Sequence, residues 1–161
     1  MATALVIGAS GFVGSHITAS LLDRGTTVRG TTRDASDEKY SWLGELAASR
    51  RGSLSLHNLL LTEQGPDREQ LLAAMADCSQ VYFAAGVETR DPKTIDLMVN
   101  GILGVLEAAK ELSVGVVVVT SPQGARTPRG SRAPRPRRRW FTSPTPRSKR
   151  SEGSGALPLR R

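Results

Sequence analysis

The stretch Val6–His16, VIGASGFVGSH, joins an apolar run to a helical pattern, and its reading decides the fold. Gly8, Gly11 and Gly14 form Gly-x-x-Gly-x-x-Gly, a variant of the Gly-x-Gly-x-x-Gly dinucleotide fingerprint. The physical roles carry over. Gly8 permits a tight turn, Gly11 lets the backbone approach a pyrophosphate with no Cβ in the way, and Gly14 allows close helix–sheet packing. The free N–H groups that open the helix, near Phe12 and Val13, face negative oxygens, and Ser10 adds a hydroxyl donor. A glycine-rich turn that merely packs tightly has the same local sequence, so the surrounding pattern must discriminate.

That pattern is an alternation of strand and helix. Ala4–Ile7 is a short apolar run suited to a strand buried on both faces. Phe12–Arg24 follows with Phe12, Val13, His16, Ile17, Leu21 and Leu22 at helical spacing and Gly25 as a stop. Thr26–Thr32 reads as strand two, and Asp37–Arg50 as a helix capped by Ser36 or Asp37. Leu54–Leu61, Asp67–Ala76, Gln80–Ala85, Thr94–Leu112 and Val114–Val119 continue as strand, helix, strand, helix and strand. The four valines Val116–Val119 suit the middle of a parallel sheet. Alternation with short connections implies right-handed crossovers and a doubly wound α/β domain over residues 1–124.

From Ala125 the pattern stops. Residues 125–161 hold 12 of the 22 Lys/Arg, one acid (Glu152) and six of the nine prolines, whereas residues 1–124 carry 10 Lys/Arg against 14 Asp/Glu. The net charge of +7 therefore combines an acidic domain at −4 with a segment at +11. With Trp140, Phe141, Leu157 and Leu159 as its only large apolar residues, this Arg/Pro/Ser-rich segment is expected to be a disordered tail. The run RAPRPRRRW also suits nucleic-acid or other acidic partners, but a solvated tail is the favoured reading. The shift to Arg, Pro, Ser and Gly equally resembles GC-rich DNA read in another frame. Cys78 is the only cysteine, so no intrachain disulfide forms, and no metal-ligand spacing is present. No apolar run approaches a membrane span, and MATALVIG lacks the charged start of a signal peptide; the expectation is a cytoplasmic protein without a membrane partner.

Strand two runs TVRGTTRD and delivers Arg33 where an acid would bind both ribose hydroxyls of NAD. An arginine there suits the 2′-phosphate of NADP through forked, charge-assisted bonds, with Arg29 and Lys39 available to supplement the field. An ordinary solvated Arg33–Asp34 pair is the alternative.

The motifs VIGASGFVGSHI…LLDRGTTVRGTTRD, CSQVYFAAGV, DPKTID, VNGILGVLEAAKELSV and VVVVTS resemble, in that order, the N-terminal part of the extended short-chain dehydrogenase/reductases. Within the NAD-dependent epimerase/dehydratase group they are most similar to the dihydroflavonol and cinnamoyl-CoA reductase branch, over residues 4 to about 124. The resemblance implies a Rossmann domain that binds NADP(H) through Gly8, Ser10, Gly11, Phe12, Val13, Gly14 and Arg33, with Ala84 and Ala85 along the ribose and nicotinamide side. It also implies carbonyl reduction by a Ser and a Tyr-x-x-x-Lys pair, the tyrosine serving as general acid.

Three departures stand out. Leu60 falls where the family usually has an aspartate that bonds the adenine amino group. The strand-five ending reads Thr120-Ser121-Pro122, and the catalytic serine position falls nearer Pro122 than Ser121. The two tyrosines, Tyr40 and Tyr82, are followed four residues on by Gly44 and Gly86, so no Tyr-x-x-x-Lys exists. The expectation is an NADP-binding Rossmann fragment of a carbonyl reductase, truncated after about five strands, with no catalytic residues and no turnover. A non-catalytic NADP(H)-sensing or interaction protein with an acid-binding tail is the alternative.

Overall fold

The computed structural model describes residues 2–86 and 92–121. The expected tail, 125–161, and the domain boundary at 124 lie outside the described residues. Strand β1 (Thr3–Ile7) leads through the glycine turn into helix α1 (Phe12–Asp23), then β2 (Thr27–Thr32) and α2 (Ser41–Ala48), which a 3₁₀ turn at Glu38–Tyr40 precedes. Next come β3 (Ser53–Asn58), the short β4 (Leu61–Thr62) and β5 (Gly65–Pro66), α3 (Arg68–Met75), β6 (Gln80–Phe83), α4 (Pro92–Glu111) and β7 (Val116–Val119).

Five strands form one sheet in the order β3-β2-β1-β6-β7, every pairing parallel. This is the doubly wound α/β arrangement, a Rossmann-like fold, with the strand order reversing between β1 and β6. Alternation along β1 explains why both faces are covered, since successive side chains point to opposite sides. Leu5 and Ile7 pack with Leu71 and Met75 of α3, Val105 and Ala108 of α4, and Val81 and Phe83 of β6. Ala4 and Val6 pack on the other face with Leu21 and Leu22 of α1 and Val28 of β2.

Local chemistry sets the element ends. Asp67 caps α3 by accepting from the Gln70 N–H at 3.0 Å, and Asp37 caps the 3₁₀ turn by accepting from the Lys39 N–H at 3.0 Å. Gly25 stops α1 at φ +77°, where its N–H donates to the Leu22 carbonyl at 3.0 Å.

The structure corrects one strand expectation. Strand three ends at Asn58 rather than Leu61, because Leu61 leaves the sheet to pair with Pro66 in a separate antiparallel hairpin. Gly65, at φ +122°, makes that turn, and α4 presses on it through Gly104, where a Cβ would lie 2.6 Å from Pro66 Cδ. Among the described residues β7 is the last strand of the sheet, with Val117 and Val119 against the core and Val116 and Val118 50% and 40% exposed.

Among the described residues, no helix is long and apolar enough to cross a membrane, and no group of three His, Cys, Asp or Glu side chains is placed to hold a metal.

Two buried hydroxyls, those of Thr18 and Thr32, lack a partner among the described residues. Thr18 of α1 is fully buried, and its hydroxyl bonds nothing among the described residues. An isosteric methyl removes that desolvation penalty. Thr18→Val is expected to raise unfolding stability by about 1 kcal/mol, read as a higher urea midpoint at unchanged slope.

Candidate functional site

The C-terminal ends of β1, β2 and β6 and the loop after β3 enclose one cleft of about 450 Å³ at the topological switch point. Its floor is the glycine turn. Gly8 adopts φ +84° and lies so close to the strand across the switch point that a Cβ would stand 2.8 Å from the Ala85 backbone. The Gly8 N–H donates to Thr31 Oγ1 at 3.3 Å and the Ala9 N–H to the Thr31 carbonyl at 3.2 Å, which fixes the turn against β2. The Ala84 N–H donates to the Ile7 carbonyl at 2.9 Å and ties the turn to β6.

The three glycines do different work. A Cβ on Gly14 would lie 2.0 Å from the Gly8 carbonyl oxygen, so this glycine is required by packing alone. A Cβ on Gly11 would meet a single protein atom, the Gly8 oxygen at 3.4 Å, and its φ of −76° suits any residue. The fold therefore tolerates a side chain at Gly11, and the space that glycine leaves open belongs to the cleft. The amides of Phe12 and Val13 follow, with no acceptor among the described residues and no side-chain cap on α1. Open backbone, free amides and the positive end of α1 make a cradle that fits a pyrophosphate.

Of the residues singled out from sequence, Gly8, Ser10, Gly11, Arg33, Ala84 and Ala85 line the cleft. Phe12, Val13 and Gly14 do not. Phe12 is 82% exposed, its ring tilted against His16 at 4.7 Å, so Phe12 and Val13 can serve a ligand only through their amides. Arg33 is exposed on the cleft wall with no acidic partner among the described residues, because Asp34 is used elsewhere. Bonds from the Ser36 hydroxyl and N–H hold the Asp34 carboxyl below its usual range.

The two supplementary cations are placed otherwise. Arg29 does not line the cleft and donates to the Ala74 and Ala76 carbonyls at 3.1 and 2.7 Å, closing the C-terminus of α3. Lys39 pairs with Asp37, which raises the lysine pKa and lowers the carboxyl, and lies 4.8 Å from the Tyr40 ring centre without lining the cleft.

Sequence reasoning missed part of the wall. Besides strand-end residues such as Thr31 and Thr32, the wall includes Tyr40, Leu59, Leu61 and Leu97, from the 3₁₀ turn, the loop after β3, β4 and α4. Periodicity identified these positions only as apolar, and their convergence depends on the β4–β5 hairpin.

The model of the NAD-dependent epimerase/dehydratase family matches residues 4–141. The chain belongs to that family. It is 40% identical over 121 residues to cinnamoyl-CoA reductase 1 of Oryza sativa subsp. japonica, covering 74% of this chain and 34% of that protein. Dihydroflavonol 4-reductase of Hordeum vulgare is 38% identical over 128 residues, 75% of this chain and 35% of that one. The crystal structure of vestitone reductase from alfalfa superposes with a TM-score of 0.60 at 29% identity, over 78% of this chain and 37% of that chain. The chain thus spans about a third of the length of the curated relatives it matches. Nicotinamide-cofactor binding is a property of this family, and the cleft has the floor for it.

The glycines separate binding from folding. Gly11→Ala is expected to leave the thermal midpoint unchanged and to weaken dinucleotide binding by at least about tenfold, measured by titration of nicotinamide fluorescence. Gly14→Ala, forced against a backbone oxygen, is expected to lose about 3 kcal/mol of stability on urea unfolding.

Proposed function

We propose that this chain supplies the NADP(H)-binding domain of a carbonyl reductase of the dihydroflavonol/cinnamoyl-CoA reductase type. The observation that carries the cofactor choice is Arg33, an exposed guanidinium on the cleft wall at the end of β2, free of any acidic partner among the described residues. Free NAD ribose hydroxyls call for an acceptor at that place, whereas a 2′-phosphate calls for a forked donor. The pyrophosphate would lie on Gly8–Gly11 and the amides of Phe12 and Val13, and Ala84 and Ala85 would flank the ribose and nicotinamide. When bound, the dinucleotide supplies a hydride donor.

The reading includes no turnover by these 161 residues alone. Reduction of a carbonyl leaves an alkoxide that must be protonated, and general acid catalysis contributes about 10²–10⁴-fold. The sequence contains no Tyr-x-x-x-Lys, and neither of its two tyrosines has a lysine partner at that spacing. The Tyr82 hydroxyl donates to Gln80 Oε1 at 2.9 Å within β6, and Tyr40, although it lines the cleft wall, has Gly44 in place of a lysine four residues on. The same reading places the protein in the cytoplasm, with NADP(H) rather than a nucleic acid as its partner.

NADPH is expected to bind at least about tenfold more tightly than NADH, and Arg33→Ala is expected to abolish that preference while leaving NADH unchanged. Equal affinities for the two cofactors, or an Arg33→Ala loss shared by both, would remove the argument for NADP. In a separate assay, NADPH oxidation with dihydroflavonols, cinnamoyl thioesters or simple aldehydes is expected not to exceed the rate of a Gly11→Trp control, in which the bulky side chain blocks the pyrophosphate floor. Turnover well above that control would show a proton donor that the sequence does not reveal.

A further inference from the structure

The strand order distributes the cleft among strand ends. Leu59 and Leu61 lie beyond β3, Thr31, Thr32 and Arg33 at β2, Gly8 at β1, and Ala84 and Ala85 at β6. A dinucleotide with its pyrophosphate on the glycine turn and a 2′-phosphate at Arg33 carries its purine past Arg33, toward the β3 side. The wall there is hydrocarbon. Leu59 is almost fully buried, Leu61 comes from the β4–β5 hairpin, and Leu97 comes from α4, which packs on that hairpin.

The polar groups nearest this wall are already committed within the protein. The Leu59 N–H donates to the Thr32 carbonyl at 2.8 Å, and the Leu60 carbonyl accepts from the Asp67 N–H at 2.9 Å. The Leu60 N–H donates to Gln70 Oε1 at 3.0 Å, and Asn58 Oδ1 accepts from the Ala35 N–H at 2.6 Å. The Leu60 side chain is 48% exposed and is not part of the lining. Among the described residues, the β3 end of the cleft thus offers an apolar surface; the one unpartnered hydroxyl beside it, that of Thr32, is itself buried and withdrawn from the open cleft.

We propose that this end of the cleft holds the purine as an apolar slab and does not read its 6-substituent, so the site accepts hypoxanthine in place of adenine. The proposal rests on the dinucleotide reading of the cleft. A site that hydrogen-bonds a ligand group rejects the analogue lacking it, because the site's own polar atoms are then left unpaired; a hydrocarbon wall has no such atoms to strand.

The test titrates the full chain with NADPH and with reduced nicotinamide hypoxanthine dinucleotide phosphate, following nicotinamide fluorescence. Dissociation constants within about threefold of each other are expected, since one neutral hydrogen bond to the base alone is worth roughly 2–10-fold. A larger preference for adenine, with both dinucleotides binding, overturns this proposal and leaves the dinucleotide reading intact. Binding of neither dinucleotide overturns both. A second arm locates the base. Leu61→Ala, and independently Leu97→Ala on a different element, should weaken both dinucleotides by the same factor, roughly three- to tenfold, in protein shown to be folded by far-UV circular dichroism. Unchanged affinity in the folded variants puts the base elsewhere and overturns the proposal.

Discussion

The contact between the Gly8 carbonyl and Gly14 governs the rest of the molecule, because it lets α1 start directly above the end of β1. A side chain at Gly14 would bring carbon to 2.0 Å from that oxygen, and one at Gly8 would meet the Ala85 backbone at 2.8 Å. With neither present, three segments far apart in sequence converge. The turn bonds Thr31 of β2, the Ala84 N–H reaches back to Ile7, and α1 begins with its amides unspent over the seam between β1 and β6. The close approach that completes the core on one side of the turn leaves an open backbone surface on the other. The open surface here is a by-product of packing, and at Gly11 the fold itself makes little demand, since a Cβ there would meet only the Gly8 oxygen at 3.4 Å.

The same economy applies to charge. Of the cations near the sheet, Arg29 is consumed by the carbonyls that end α3, Arg50 pairs with Asp23 at 3.1 Å and donates to the Leu46 carbonyl, and Lys39 is held by Asp37. Each satisfies groups that would otherwise be orphaned at a helix end or left as an isolated acid. Arg33 has no such employment. Asp34 beside it turns to Ser36, so the local sequence Arg-Asp-Ala-Ser frees the guanidinium instead of pairing it. An exposed surface pair would contribute little to stability in any case, whereas a guanidinium beside a cleft keeps its forked donors available to an anion.

What could be read from the sequence was local. The Gly8–Gly14 spacing and the alternation of β1 each depend on neighbours within a few residues, and the structure places them as the pattern implies; of the apolar face read for α1, Leu21 and Leu22 are buried while Phe12, Val13 and His16 are exposed. Readings that depended on distant partners went astray. Arg29 was available on sequence grounds as a phosphate ligand, but its carbonyl partners are 45 and 47 residues away, on a helix whose end nothing local announces. Leu59, Leu60 and Leu61 continue the apolar run of β3, yet the strand stops before them because Leu61 has a partner in Pro66, and a Gly-Pro pair reads as loop. Tyr40 fell on the apolar face of an expected helix; a 3₁₀ turn rotates it into the cleft wall instead.

The valine strand shows where pattern and surroundings part. A continuous apolar run implies cover on both faces, since each half-exposed valine leaves hydrocarbon in water at about 25 cal/mol per Å². In β7 only alternate residues have it: Val117 and Val119 join the core with Phe83, while Val116 and Val118 are open. Helix α4 repeats the theme, with Ile95, Val99 and Leu103 exposed along one stripe at helical spacing. These uncovered positions all belong to the β6–β7 side of the sheet or to the helix between those strands. On the β1–β3 side, which forms the glycine floor, the Arg33 wall and the leucine surface, β1 is buried on both faces, while β3 has no fully buried residue. The adenosine end of a dinucleotide held on this floor would rest on the ends of β1 and β2 and the loop after β3, none of which pairs with β7, so its grip would not depend on anything covering that strand.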